Sequence, residues 1–442
     1  MTDTTNQKRI HRAWAMYDWA NSAYNLVITS TIFPAYYLAV TTVKDANGMV
    51  TNDKVNFFGA SVTNSVLFDY ALATAYLIIA ILSPILSSIA DYRGNKKSFM
   101  RLFCYIGSAA CCGLFFFTSQ TVEMGVVLSA TAAAGFYGSI VFYNSFLPEI
   151  AVEADRDRVS AQGFAYGYIG SVILQLVCFV FVLKPEVFGI TIGMASRISF
   201  LLVGIWWFAW AQIPLKKLPH GTPLEQHPEH NILSNGFHEL KKVWAQMKQL
   251  PVLRTYLVAF FLYSMGVQTV MLAATIFGAK ELKLETTQLI MTILIIQLVA
   301  IAGAYVMSKL SERFGNLAVL LFVVFIWIGV CIAAYYTTTA MEFYIIATVV
   351  GLIMGGIQSL SRSTYSKLMP ETKDTTSFFS FFDVTEKIAI VLGMFSFGFI
   401  EDMTGSMRNS IIALITFFAL GAIVLYLAFL KAKKVDLKSS VI

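Results

Sequence analysis

The sequence predicts an all-α polytopic membrane protein: twelve transmembrane helices in two six-helix halves of the same topology, related by a pseudo-twofold axis. Three observations carry this. Composition comes first: 57% of the 442 residues are hydrophobic and only 13% are charged, against about 25% charged in an ordinary soluble chain. Mean hydropathy is +0.68. A soluble fold of this length keeps too many residues near water to hide so much apolar surface. That excludes an ordinary soluble enzyme, a nucleic-acid-binding module and a disordered scaffold. The second observation is twelve apolar stretches, each near or above the roughly 20 residues that a bilayer demands. The third is an internal repeat at half the chain length.

The first six stretches lie at 13–41, 66–90, 98–118, 122–147, 160–183 and 191–213. The second six lie at 253–278, 286–308, 317–336, 341–366, 376–399 and 408–430. We number them helix 1 to helix 12. Helix 1 contains Asp18 and Asn21, and its apolar run is too long and too polar for a cleavable signal peptide. Between helices 6 and 7 lies the one long polar segment, with Pro214, Pro219, Pro223, Pro228 and Pro251. The expected organisation is therefore an N-terminal half at 1–213, a linker at 214–252 and a C-terminal half at 253–442. In the linker, Phe237, Leu240, Trp244, Met247 and Leu250 form one stripe, with Lys241, Lys242 and Lys248 off it. That pattern predicts a helix lying on the membrane surface and tethering the halves. His227 and His230 sit in a Pro-rich stretch without companion cysteines, so no metal site is expected.

Lys and Arg are distributed unevenly. Of 32, 24 fall in the even-to-odd loops and the termini, and six in the opposite loops: Lys44, Lys54, Lys184, Lys280, Lys283 and Arg408. Arg197 and Lys387 lie within helices. The positive-inside rule then places both termini and the linker in the cytoplasm. It also explains the net charge of +6 without a nucleic-acid partner. The five cysteines lie inside apolar runs and read as small core residues.

The repeat appears twice. Ile89-Ala90-Asp91-Tyr92-Arg93-Gly94-Asn95 after helix 2 is echoed by Leu310-Ser311-Glu312-Arg313-Phe314-Gly315-Asn316 after helix 8, at an offset of 221. Tyr143-Asn144-Ser145-Phe146-Leu147-Pro148-Glu149 is echoed by Tyr365-Ser366-Lys367-Leu368-Met369-Pro370-Glu371, at an offset of 222. Two echoes in order at nearly one offset indicate a duplicated unit, with any solute site at mid-membrane between the halves.

The segment Ser87-Ser88-Ile89-Ala90-Asp91-Tyr92-Arg93-Gly94-Asn95-Lys96-Lys97 resembles the helix 2–3 signature of the major facilitator superfamily, G-x-x-x-D-[RK]-x-G-[RK]-[RK]. Asp91, Gly94, Lys96 and Lys97 agree with it, whereas Ser87, Tyr92 and Asn95 depart. Arg12-Ala13-Trp14-Ala15-Met16-Tyr17-Asp18-Trp19-Ala20-Asn21-Ser22-Ala23-Tyr24 is similar to the opening of the autophagy-related-protein-22-like transporters, which include vacuolar amino-acid effluxers. Ser160 to Tyr168 in helix 5 and Gly355 to Ser363 in helix 10 are also similar. The resemblance implies a major facilitator fold, a cavity lined by helices 1, 4, 7 and 10, and alternating access. It further implies efflux of an amino acid or similar small metabolite. The short loops fit a bacterial member, in the cytoplasmic membrane.

An ionisable group inside a membrane helix costs about 2.5–3.5 kcal/mol on insertion scales, so it is expected to be paired, wet or functional. Asp18, Asn21, Ser22 and Asn25 follow one another by steps of three and four, forming a polar stripe on helix 1. Gln358, Ser361, Arg362 and Tyr365 do the same on helix 10. Asp18 and Arg362 are candidates for two roles. As cargo clamps they take the ammonium and carboxylate of a zwitterion; as a gate pair they meet each other near the cytoplasm. On helix 11, Asp383 and Lys387 are spaced to pair. Glu386 is a candidate proton carrier, as are Asp383 and Asp18. Gating candidates are Asp91, Arg93, Gly94, Glu149, Glu312, Gly315 and Glu371. Asp91 is expected to face the amides at the start of helix 11. Glu149 is expected to meet Arg93, Arg156 or Arg158, and Glu371 to meet Arg313 or Lys373. Asp69 reads as a first-turn charge of helix 2, Arg197 as an outward-reaching one, and Trp19, Tyr143 and Tyr263 as aromatics able to touch a solute.

No phosphate loop, G-x-S-x-G or H-E-x-x-H occurs, so ATP-driven transport and common hydrolytic chemistry are excluded. The reading is a monomeric secondary transporter without cofactor, acting on a small polar solute in the lipid bilayer, with protons as the candidate coupling ion. An exporter of amphipathic compounds is the first alternative. A non-transporting membrane sensor or lipid scramblase is the second.

Overall fold

The computed structural model describes residues 2–45, 49–221 and 232–439. Helix 1 runs Thr2–Tyr24, passes through a wider π-helical section at Asn25–Thr31, and resumes at Ile32–Thr41. Helices 2 to 6 are Asn64–Arg93, Lys96–Gly113, Val122–Asn144, Arg156–Leu183 and Ile192–Lys217. Helices 7 to 12 are Pro251–Lys280, Thr286–Phe314, Asn316–Tyr336, Ala340–Leu368, Thr375–Thr404 and Met407–Ser439. Among the described residues, eleven of these are apolar enough to cross a bilayer by composition alone. The twelfth is helix 11, whose Asp383, Glu386 and Lys387 interrupt an otherwise apolar run.

Local chemistry sets several boundaries. Gly94 ends helix 2 at φ +65°, a left-handed conformation that glycine adopts without steric cost, and Lys96 starts helix 3 two residues later. Helix 10 opens with a reciprocal cap between Thr339 and Glu342, and helix 8 with one between Glu285 and Gln288. The π section of helix 1 precedes Pro34, whose ring lacks an N–H and crowds the carbonyl four residues back. Ser30 and Thr31 hydroxyls donate to the Asn25 and Leu26 carbonyls at 2.9 and 2.7 Å. The backbone groups displaced by the wide turn thus keep partners.

Buried apolar side chains form two clusters. One runs from Trp14 to Leu218; the other from Val243 to Leu425, with Tyr168 of helix 5 reaching into it. Each six-helix unit has its own core, and most of the long-range polar contacts discussed below lie at the seam between them.

Several expectations change. The connection between helices 1 and 2 is not helical: it carries two antiparallel hairpins, Val43–Lys44 with Val50–Asn52 and Lys54–Phe57 with Ala60–Thr63. Asp69 is exposed and lies beyond the first turn of helix 2, because that helix begins at Asn64. The Arg197 side chain keeps the outward direction read for it, reaching toward the Met194 sulfur at the start of helix 6 and over the Phe115 ring at 5.7 Å. The linker helix spans Ile232–Lys248, but its buried face is Val243 and Met247, packed on helix 2. Trp244 is half exposed yet sits 5.6 Å from the Phe381 ring, and Lys242 pairs with Asp374 at 3.3 Å. The helix is therefore docked on protein at its C-terminal end. The side chain of Phe237, and His227 and His230 entirely, lie outside the described residues. The cysteines are free, four of them buried and Cys112 half-buried.

Candidate functional site

Helices 1, 4, 5, 7, 10 and 11 surround a cavity of about 180 Å³ at the seam. The whole helix 1 stripe lines it: Asp18, Asn21, Ser22 and Asn25. From the other half come Gln358, Ser361, Arg362 and Glu386. A wider cavity of about 640 Å³ shares Leu26, Met271, Gln297 and Ile390 with the first. It continues toward the face opposite the two chain termini, where helix 2 begins and helix 7 ends. Its walls are mostly apolar.

On the termini side the cavity is floored by an ion pair between the halves. Arg362 Nη1 donates to Asp18 Oδ2 at 3.2 Å, and the arginine is 3% exposed. The guanidinium also donates to Asn144 Oδ1 at 3.1 Å, to Ser160 Oγ at 3.0 Å and to the Ser160 carbonyl at 2.9 Å. Its plane lies 4.6 Å from the Trp14 ring and 4.2 Å from the Phe164 ring. Tyr143 donates to the same carboxylate oxygen at 2.7 Å. Gly163 makes room: a Cβ there would fall 2.5 Å from Asp18 Oδ2 and 2.8 Å from Arg362 Nη2. Arg362 is fully engaged by a fork geometry that a lysine cannot reproduce. In this conformation Asp18 and Arg362 neutralise each other, and neither is free to hold a cargo charge.

Three further contacts join the halves below this floor. Asp91 accepts from the Thr376 amide at 3.1 Å, the Ser377 amide at 2.7 Å and the Ser377 hydroxyl at 2.8 Å. The carboxylate thus meets the positive end of helix 11. Glu149 accepts from Lys96 Nζ at 2.5 Å and Thr375 Oγ1 at 2.8 Å. Its partner is Lys96, not the expected arginines. It sits in the first turn of a short helix, Leu147–Ile150, and not at the C-terminal end of helix 4, where a negative charge would oppose the helix dipole. Asp157, 1% exposed, accepts from Ser311 Oγ at 2.9 Å, Asn316 Nδ2 at 2.6 Å and Lys367 Nζ at 2.6 Å.

The gating candidates divide accordingly. Asp91, Gly94 and Glu149 belong to this seam. Arg93, Glu312 and Glu371 are exposed and make no hydrogen bond or ion pair among the described residues. Arg156 lies within electrostatic reach of Glu371, and its guanidinium donates to the Ser366 carbonyl at 2.7 Å. Gly315 only turns the chain between helices 8 and 9. The repeat explains the misplacement of Glu312. In the second half the acid has moved across the seam to Asp157 on helix 5, facing Ser311 and Asn316. Spacing within one helix carries no such signal. Lys96 was legible as the basic pair of the helix 2–3 signature.

Elsewhere, Ser361 Oγ lies 2.7 Å from the Tyr263 hydroxyl, and Gln358 Oε1 accepts from Tyr168 at 2.6 Å. Asp383 pairs with Lys387 inside helix 11. Trp19 stacks on Trp206 and meets Trp210 edge-on, both on helix 6, away from the cavity.

Asp91→Asn is expected to loosen the seam by about 0.3–2 kcal/mol, the range for a charge at a helix terminus. Ser88, fully buried, has its hydroxyl 3.3 Å from that of Ser377. A cysteine at Ser88 is expected to react with maleimide roughly 2- to 30-fold faster in the Asp91→Asn background. An unchanged rate removes Asp91 from the seal.

Two six-helix units closed on one side by ion pairs and open toward the other define a transporter of the major facilitator type, not an enzyme. The fold matches that of the transporter FucP in the outward conformation, with a TM-score of 0.68 at 12% identity over 96% of this chain and 98% of that one. It also matches the proton:xylose symporter XylE, with a TM-score of 0.71 at 12% identity over 96% of each chain. The sequence places it more narrowly. The model of the vacuole effluxer Atg22-like family matches residues 6–438, and the chain belongs to that family. It is 32% identical over 415 residues, 93% of each chain, to the uncharacterized MFS-type transporter YxiO of Bacillus subtilis strain 168. It is 28% identical over 389 residues to autophagy-related protein 22 of Kluyveromyces lactis, covering 79% of this chain and 76% of that one.

Proposed function

We propose that this transporter moves a small polar solute, an amino acid or similar amine-bearing metabolite, by rocking its halves about the central cavity. The Lys and Arg bias puts the termini face in the cytoplasm, so the conformation described is outward-facing, with Asp18–Arg362 as the cytoplasmic gate pair. The observation that carries the reading is the cavity itself. It presents polar side chains from both halves, lies between them and is closed on the termini side by polar contacts that a rocking motion can break. Its volume of about 180 Å³ is below the roughly 300–1,000 Å³ of drug-sized pockets and suits a small polar solute, whereas the adjoining apolar cavity of about 640 Å³ is the space that the amphipathic-exporter reading would use. A bacterial inner-membrane location, a monomer and proton-coupled efflux are parts of the same proposal.

The test is counterflow and uptake in proteoliposomes, with labelled amino acids and hydrophobic cations, with and without a pH gradient. Saturable exchange of amino acids, driven further by the gradient, is the expected result. Exchange of hydrophobic cations alone would replace it with the amphipathic-exporter reading. Lipid movement without solute exchange would replace transport altogether.

A further inference from the structure

Among the described residues, five charged side chains line the central cavity or pair with a side chain that does, and they do not balance. Asp18 is neutralised by Arg362, and Asp383 by Lys387. Glu386 of helix 11 has no cationic partner among the described residues, so one negative charge is left over. Its Oε1 accepts from the neutral amide of Gln268 at 2.8 Å. It is half-buried on the cavity wall. The phenols of Tyr76 and Tyr137 from one half, and of Tyr263 from the other, lie within reach of its charge. The first two hydroxyls are 3.0 Å apart.

A second observation lies on helix 1. Asn21 is 1% exposed and lines the same cavity, and its Nδ2 has no hydrogen-bond partner among the described residues. Its Oδ1 accepts from the Ser22 hydroxyl at 3.5 Å, which leaves the amide as a donor without an acceptor. A buried polar group in this condition is costly unless something transient completes it.

We propose that the cavity selects a solute of net charge +1, whose ammonium docks at Glu386 while an oxygen acceptor at its other end takes the Asn21 amide. This deepens the transport reading and rests on it. An ammonium fits the Glu386 end because it donates a charge-assisted bond to the carboxylate and tolerates the surrounding phenol rings. The polarity is the reverse of the one the sequence suggests, in which helix 1 holds the ammonium. The reason is that Asp18 is already neutralised. Glu386 lies in the second half and Asn21 in the first, so a bound solute bridges the seam and stabilises closure around itself.

Equilibrium binding to the purified protein in nanodiscs, at one pH and low salt, tests this with L-lysine, L-alanine and L-glutamate as probes of net charge +1, 0 and −1. Lysine is expected to bind at least about 10-fold more tightly than the other two. Glu386→Gln keeps the shape and an acceptor for Gln268. It is expected to weaken lysine by roughly 10- to 100-fold, the loss of one charged hydrogen bond, and so to remove or invert its lead over alanine. Asn21→Ala is expected to weaken lysine while leaving the order intact. An unfolded variant loses all binding, alanine's included, so a lost lead with alanine still bound separates recognition from misfolding. Alanine preferred by the wild type, or a lysine preference that survives Glu386→Gln, overturns the charge rule and leaves the transporter reading standing. If lysine binding is untouched in Glu386→Gln while pH-gradient drive disappears, the cation at Glu386 is a proton and the ammonium assignment falls. Binding of none of the probes overturns the amine class in both readings.

Discussion

Asp18→Asn and Arg362→Gln, each alone, are expected to abolish most transport and to open the termini side. Removing one member of a buried pair leaves the other uncompensated, at about 3–5 kcal/mol. Here that penalty falls on the closed arrangement, because the pair exists only where helix 1 and helix 10 meet. Arg362 would retain Asn144 and Ser160, and Asp18 would retain Tyr143, so part of the loss is recovered locally. The double neutralisation is expected to be milder than the more damaging single change, since no charge is then stranded. The swapped variant, Asp18→Arg with Arg362→Asp, is expected to restore some transport, limited because the Ser160 carbonyl faces position 362 and repels a carboxylate. Maleimide labelling from the termini side and counterflow read both outcomes. Normal transport in either single variant would show that this pair is not the gate.

Asp157→Asn is expected to have the next largest effect. The carboxylate holds Ser311, Asn316 and Lys367 together, and the asparagine keeps its size while losing its charge. Lys367 stays one-fifth exposed, so the cost sits at the low end of the range for a broken buried pair, about 3 kcal/mol. That corresponds to roughly a 100-fold shift in the ratio of closed to open protein. Spin labels on cysteines at the exposed positions Arg158 and Arg313 should show a longer distance population in Asp157→Asn. Lys367→Gln in the same background should bring little further change, because the two share one interaction. A distance distribution identical to wild type would mean that Asp157 only anchors helix 5.

The first-half seam residues were largely legible because their signals are local. Asp91, Gly94, Lys96 and Lys97 sit together in a short signature, and glycine with positive φ announces a helix end. The polar stripe of helix 1 was legible for a similar reason: a run of polar residues at helical spacing inside an apolar stretch has a large cost in lipid unless it faces water or protein. Asp157 was not legible, because a single acid in the first turn of a helix has a sufficient explanation in the helix dipole. Its three partners lie more than 150 residues away. Glu312 and Glu371 misled by the same logic, since the repeat preserved an acid at those positions while the contact moved to the other side of the seam.

The sequence by itself determined the class of protein, the number and order of the spanning helices, the duplication and the polar stripes. All of these follow from the hydrocarbon thickness, the helical period and the cost of placing charge in lipid, which act on each segment independently. Only the tertiary structure decided which charges neutralise which. Asp18 could have met a solute, a basic loop or Arg362, and its own helix is equally suited to all three. The pairing depends on how helices 1, 5 and 10 cross, on the missing Cβ of Gly163 and on the Ser160 carbonyl that completes the guanidinium's shell. Once those pairs form, Glu386 is left, among the described residues, as an uncompensated carboxylate lining the central cavity. That remainder is a property of the packed whole, because a charge becomes available for a ligand only after its neighbours have taken each other.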